Sequence, residues 1–124
     1  MQTIFTPEAP APAGHYSQAV EHGGIIFVAG QLPIDTRQPG YIQPTIEEQT
    51  EQALRNVETI LKAGGSGLNR LLQVTIYIAD MSLWGRVNTV YEKVLGAHRP
   101  ARAVVPTMPL HYGYLIEIQA MAAV

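Results

Sequence analysis

The chain contains no cysteine. That excludes a disulfide framework, a thiol nucleophile and a thiolate metal site, and it fits a reducing compartment. Charge is also scarce. Only 15% of residues are charged, ten acidic against eight basic, for a formal net charge of −2. With no run of lysine or arginine, the chain lacks the electrostatic footprint of a nucleic-acid binder. No apolar stretch approaches the roughly 20 residues of a membrane span. The opening Met1-Gln2-Thr3-Ile4-Phe5-Thr6-Pro7 has neither the basic nor the long apolar region of a secretory signal. The expectation is a soluble cytoplasmic protein without nucleic-acid or membrane partners.

Apolar residues are abundant, at 47% of 124. That length supports one domain spanning 1–124 with a moderate core, and so little surface charge leaves room for self-association. Gln2 to Phe5 reads as a short strand before a proline-rich segment, Pro7 to Gly14, whose prolines favour an extended path. His15 to Val20 and Ile25 to Ala29 flank Glu21-His22-Gly23-Gly24 as a hairpin. Thr45 to Ala63 is the clearest helix. Thr45 and Glu48 form a capping box, Ala53, Leu54, Val57, Ile60 and Leu61 make one apolar stripe, and Gly64-Gly65 ends it. Leu71 to Ala79 reads as a central strand. Ser82 to Leu95 reads as a second helix capped by Ser82, with Leu83, Val87, Val90, Tyr91 and Val94 inward. Strands over Ala101 to Val105 and Tyr114 to Ala122 complete the order β-β-β-α-β-α-β-β. That order predicts an α+β fold, a single mixed β-sheet with two helices packed on one face and the other face needing cover.

Several chemistries find no support. The four histidines, His15, His22, His98 and His111, match no common metal-ligand spacing, so no metal is expected. Gly64-Gly65-Ser66-Gly67 follows a helix and lacks the lysine of a phosphate loop. Ser17 has no histidine–acid set beside it. What stands out is Arg102 and Glu117, each on an otherwise apolar strand. In an extended strand Glu117 and Gln119 share a face, and a carboxylate there must reach solvent, find a partner or face a site. Arg102 offers a planar fork for a carboxylate, either a side chain's or a small acid's. From pattern alone a structural ion pair, or two solvated strand residues, is the default reading, and a site is the alternative. Tyr16, after the proline-rich entry, and Asn88, a mediocre helix former in mid-helix, are further candidates.

Taken in order, Gly14-His15-Tyr16-Ser17-Gln18-Ala19-Val20, Val28-Ala29-Gly30-Gln31-Leu32-Pro33, Gln49-Thr50 with Ala53-Leu54-Arg55-Asn56-Val57, Val87-Asn88-Thr89-Val90-Tyr91, Pro100-Ala101-Arg102 and Gly113-Tyr114-Leu115-Ile116-Glu117-Ile118 resemble the Rid (YjgF, reactive intermediate deaminase) family. These segments are collinear and cover nearly the whole chain. The resemblance implies a chorismate-mutase-like protomer, a homotrimer with sites between subunits, and no cofactor. It also implies hydrolytic deamination of enamines and 2-imino acids, such as 2-aminoacrylate and 2-iminopropanoate, to 2-keto acids and ammonia. By that resemblance Arg102 holds the substrate carboxylate, Glu117 positions or activates water, and Tyr16, Gly30 and Asn88 line the cleft.

Departures from the family pattern are informative. Ala29 stands where many members have serine, Ala103 and Val104 where a polar pair follows the arginine, His15 where proline precedes the tyrosine, and Gln119 where a second glutamate often occurs. The pocket is therefore expected to be more apolar, with Ala29 and Val104 favouring a bulkier imino acid. The alternative is a non-catalytic Rid protein that binds a small 2-keto or amino acid through Arg102. Retention of Glu117 favours the enzyme, because an anion binder gains nothing from a nearby carboxylate. A ribonuclease role is disfavoured by the acidic balance and the single tryptophan.

Overall fold

The computed structural model describes residues 1–124. Its strands are β1 (Gln2–Ile4), β2 (Ala19–His22), β3 (Ile25–Gln31), β4 (Leu71–Ile78), β5 (Ala101–Pro106) and β6 (Ile116–Ala123), and its helices are α1 (Ile46–Ala63) and α2 (Trp84–Leu95). They form one six-stranded sheet in the order β1-β2-β3-β6-β4-β5. All neighbours run antiparallel except β4 and β5, whose parallel pairing uses α2 as the crossover. The fold is thus α+β, with both helices over one face of a mixed sheet, as the element order predicts.

Alternation sets the two faces. Val74, Ile76 and Ile78 of β4 and Ile116, Ile118 and Ala120 of β6 are buried, and they meet the stripe Ala53, Leu54, Val57, Ile60 and Leu61 of α1. Each fully buried leucine or isoleucine stabilises the fold by roughly 1.5–3 kcal/mol. The opposite face carries no helix and exposes Phe27, Gln73 and Gln119.

Thr45 caps α1 through its hydroxyl, which accepts the Glu48 backbone N–H at 3.2 Å and donates to the Glu48 carboxylate at 2.7 Å. The second helix starts differently from expectation. Ser82 does not cap it: Asp80 caps a preceding 3₁₀ turn, its Oδ1 accepting from both the N–H (2.9 Å) and the hydroxyl (2.7 Å) of Ser82, and α2 begins after Leu83 without a side-chain cap. A single 3₁₀ turn, Met81–Leu83, precedes α2. Arg86 and Glu47 join the two helices by a bidentate pair at 2.7 and 2.8 Å, and this hydrogen bonding pulls the Glu47 carboxyl down to about 2.

A second correction concerns the hairpin. Its first strand begins at Ala19, and His15 to Ser17 lie outside the ladder, with bends at His15 and Tyr16. Buried amides fix the loops on either side. Gln18, only 1% exposed, accepts the Thr6 N–H at 2.7 Å and donates to the carbonyls of Thr6 (3.0 Å) and Pro10 (2.9 Å). Asn56 donates to the carbonyls of Leu32 and Ile34, both at 3.0 Å, and Gln49 accepts the Leu115 N–H at 2.9 Å. The proline-rich segment and the chain after β3 are therefore held by side chains where no ladder could hold them.

Candidate active site

Two separate clefts hold the residues singled out from the sequence. The first contains Tyr16, Ala29, Gly30 and Glu117, with a volume of about 540 Å³. It exists because β3 bulges. Val28 pairs with Ala120 but Gln31 pairs with Ile118, so one extra residue is accommodated between them, at Ala29-Gly30. The missing side chain of Gly30 is a steric requirement of the site. A Cβ there would overlap Oε1 of Glu117 and lie 3.0 Å from its Cδ. Burial pushes the Glu117 carboxyl above its ordinary value, with His111 partly opposing that shift. No lysine or arginine lines this cleft. The Tyr16 phenol oxygen accepts the Ala13 N–H at 3.2 Å, which leaves its own proton free to donate outward.

The second cleft, of about 580 Å³, is lined by Asn88, Tyr91 and Arg102 together with Glu92, His98 and Arg99. Here Arg102 is held in place by its neighbours. Its guanidinium carbon lies 4.7 Å from the Trp84 ring centroid and 4.8 Å from that of Tyr91, and one terminal nitrogen donates to Oδ1 of Asn88 at 2.9 Å. Asn88 is itself oriented, since its amide nitrogen donates to Glu92 at 3.0 Å. Arg102 takes part in none of the five ion pairs of the chain. Its remaining donors are free for an anion. The Tyr91 hydroxyl is buried beside it without a partner.

Arg102 and Glu117 do not meet within one chain. Arg102 pairs with Val74 and Glu117 with Tyr77, three residues apart on β4, so they project from opposite faces of the sheet. A structural ion pair between them inside the protomer is ruled out by this parity. Val104 shares Arg102's face but packs against the hydrophobic core and lines neither cleft. Sequence reasoning missed Trp84, Tyr91, His111 and Tyr112 as site residues. The first two were within reach of it, because positions 84, 88 and 91 follow helical spacing and put one tryptophan, one asparagine and one tyrosine on a single face. No group of three or more histidine or acidic side chains is gathered to hold a metal ion. No helix is long and apolar enough to cross a membrane.

Known proteins share this arrangement of elements. The E. coli YjgF gene product superposes with a TM-score of 0.94 at 32% identity, covering 99% of this chain and 98% of that one. E. coli TdcF, solved with bound serine, gives 0.94 at 29% identity over 100% and 99%. The family model described as Endoribonuclease L-PSP matches residues 6–124, and the chain belongs to that family, which is the YjgF or Rid family. A RutC family protein of Pyrococcus horikoshii is 42% identical over 121 residues, 98% of this chain and 96% of the relative. The mouse 2-iminobutanoate/2-iminopropanoate deaminase is 36% identical over 121 residues, 98% and 90% of the two chains.

Proposed function

We propose that the protein hydrolyses 2-imino acids and their enamine tautomers to 2-keto acids and ammonia, in sites completed between the subunits of a homotrimer. The observation that carries this reading is the division of labour between the clefts. One offers a guanidinium over two aromatic rings and outside every ion pair of the chain, and the other a half-buried carboxylate with no lysine or arginine beside it. A 2-imino acid has the complementary pair of ends. Its carboxylate suits the Arg102 fork bidentately, and its electrophilic C=N carbon needs a placed water. Bringing the Arg102 face of one subunit against the Glu117 face of another would also cover the helix-free side of the sheet.

In such a site Glu117 accepts a proton as water adds to the imine carbon, giving a carbinolamine. That proton passes to the nitrogen, the C–N bond breaks to release ammonia, and Glu117 takes the hydroxyl proton as the carbonyl forms. Water and imine thus balance keto acid and ammonia, with no cofactor in the scheme. The raised affinity of Glu117 for protons suits a group that must take one up and return it. The named activity of the mouse relative supports the reaction class. The serine bound to TdcF supports a small carboxylate ligand, and it equally favours the second reading, a non-catalytic binder of keto or amino acids.

An amino-acid oxidase generating imines in the presence of semicarbazide separates the two. Wild-type protein is expected to diminish the trapped semicarbazone, and Arg102→Ala to lose that effect, on the order of 10²- to 10³-fold in kcat/KM. Unchanged trapping with wild type across a broad amino-acid panel would overturn the deaminase and leave the binder.

A further inference from the structure

We infer that the Glu117 cleft selects 2-imino acids with a large apolar or aromatic side chain, and that Tyr112 is the residue that determines this specificity. The inference rests on the imino-acid reading of the cleft and deepens it. The backbone at Tyr112 is the starting point. It is the one non-glycine residue with positive φ (61°, ψ 13°), a left-handed conformation that a bulky side chain adopts rarely. Strain of this kind persists where the surroundings impose it, and an observed outlier in a cleft wall asks for a function.

The surroundings here are specific. Tyr112 sits in the turn His111–Gly113 that leads toward β6. Its ring lies edge-on to Tyr114 at 6.4 Å and 85°, and tilted against His111 at 5.5 Å. Tyr114 is itself buried, so the pair anchors the ring from behind while 62% of Tyr112 stays exposed in the cleft wall that also contains Glu117. Tyr16, 52% exposed, is the other aromatic of the same cleft, and Leu32 and Ile34 add aliphatic surface. Two accessible aromatic rings and aliphatic neighbours form a surface that gains by burial against an apolar group.

Polar alternatives fit poorly. The cleft's two glutamines are turned to the backbone: Gln18 bonds Thr6, Ala9 and Pro10, and Gln31 donates to the Ala29 carbonyl at 3.1 Å. Ala29 offers no hydroxyl. A hydroxylated or amide-bearing substrate side chain would have the Tyr16 and Tyr112 hydroxyls and His111 as partners, set in a wall that is otherwise apolar or already hydrogen-bonded. An acidic one would face Glu117. The volume of about 540 Å³ lies in the range that takes drug-sized ligands, well beyond the methyl group of a three-carbon imine.

The test compares imines generated from alanine, leucine and phenylalanine, with wild type and Tyr112→Gly. Wild type is expected to favour the phenylalanine-derived imine over the alanine-derived one by at least about tenfold in kcat/KM, and Tyr112→Gly to reduce that ratio to about threefold or less. Glycine suits φ of 61°, so the variant is expected to fold, which its Tm will verify. In parallel, the fluorescence of Trp84, the sole tryptophan and a neighbour of Arg102, is titrated with pyruvate, 4-methyl-2-oxopentanoate and phenylpyruvate. Size-ranked binding without hydrolysis would sink the deaminase reading and keep the selectivity. A flat or inverted ranking in both assays, or a ratio untouched by Tyr112→Gly, would overturn the selectivity while hydrolysis stood. No binding and no hydrolysis would remove both.

Discussion

Glu117 and Arg102 are both charged side chains on apolar strands, yet the fold treats them in opposite ways. Around Glu117 it withdraws support. The carboxyl is half-buried beside a glycine, with no lysine or arginine near it and only His111 as a basic neighbour. Around Arg102 it adds support, with two aromatic rings against the guanidinium and an asparagine oriented by a glutamate. On the proposed reading, the contrast teaches that a reactive group and an anchor need different surroundings. A group that exchanges protons is tuned by desolvation, whereas a group that only holds an ion is tuned by geometry.

The most drastic way to break this comparison is to separate the two halves genetically. Arg102→Ala and Glu117→Gln homomers should each be inactive. Subunits of both kinds, unfolded and refolded together at equal ratio, should regain about a quarter of wild-type activity, because some mixed trimers pair an intact Glu117 with an intact Arg102 of another copy. No recovery, with mixed trimers present, would refute shared sites.

A smaller effect is expected from Gly30→Ala. The new methyl group must displace the end of the Glu117 side chain, which is flexible, so stability should change by less than about 1.5 kcal/mol. Turnover should fall by about tenfold or more, since the carboxylate loses its position. Denaturant unfolding and kcat, measured together, check the split.

The smallest effect is on stability and pH. Burial raises the Glu117 pKa in the folded state, so the native protein holds this proton more tightly than the unfolded chain. The group's favourable contribution is therefore present in acid and is lost as pH rises through the folded value. At neutral pH the ionised carboxylate is a net cost, and Glu117→Gln should raise Tm by on the order of 1–2 °C, the difference vanishing below the ordinary carboxylate range. Wild-type turnover should fall on the acid side as the same carboxyl is protonated. A lower Tm for Glu117→Gln at pH 7 would instead mean that the ionised carboxylate is paired with a cation from outside its own chain.

Much of this architecture was legible because helices and strands repeat with different periods. The α1 stripe at 53, 54, 57, 60 and 61 is buried throughout, and the alternation 116, 118, 120 places Glu117 on the opposite face as expected. The start of β2 was not legible. His15 to Ser17 read as strand by residue pattern, but the chain bends at His15 and Tyr16 and no ladder partner is present. The start of α2 was missed for a similar reason, since Ser82 is a good cap by type but lies inside a 3₁₀ turn capped by Asp80, and α2 follows with no side-chain cap. Individual site residues stood out, but their relation did not. Arg102 and Glu117 are on strands that both pair with β4, and the face each occupies depends on the register of β4 against both neighbours, which no local pattern encodes.

The buried amide of Gln18 has a consequence for the timing of order. Proline already narrows the conformations open to residues 7–14 in the unfolded chain, and Gln18 fixes what remains through Thr6, Ala9 and Pro10. This wall of the cleft is therefore shaped during folding. A ligand that enters meets a rigid surface and surrenders little chain entropy there, so affinity at this wall reflects contact alone.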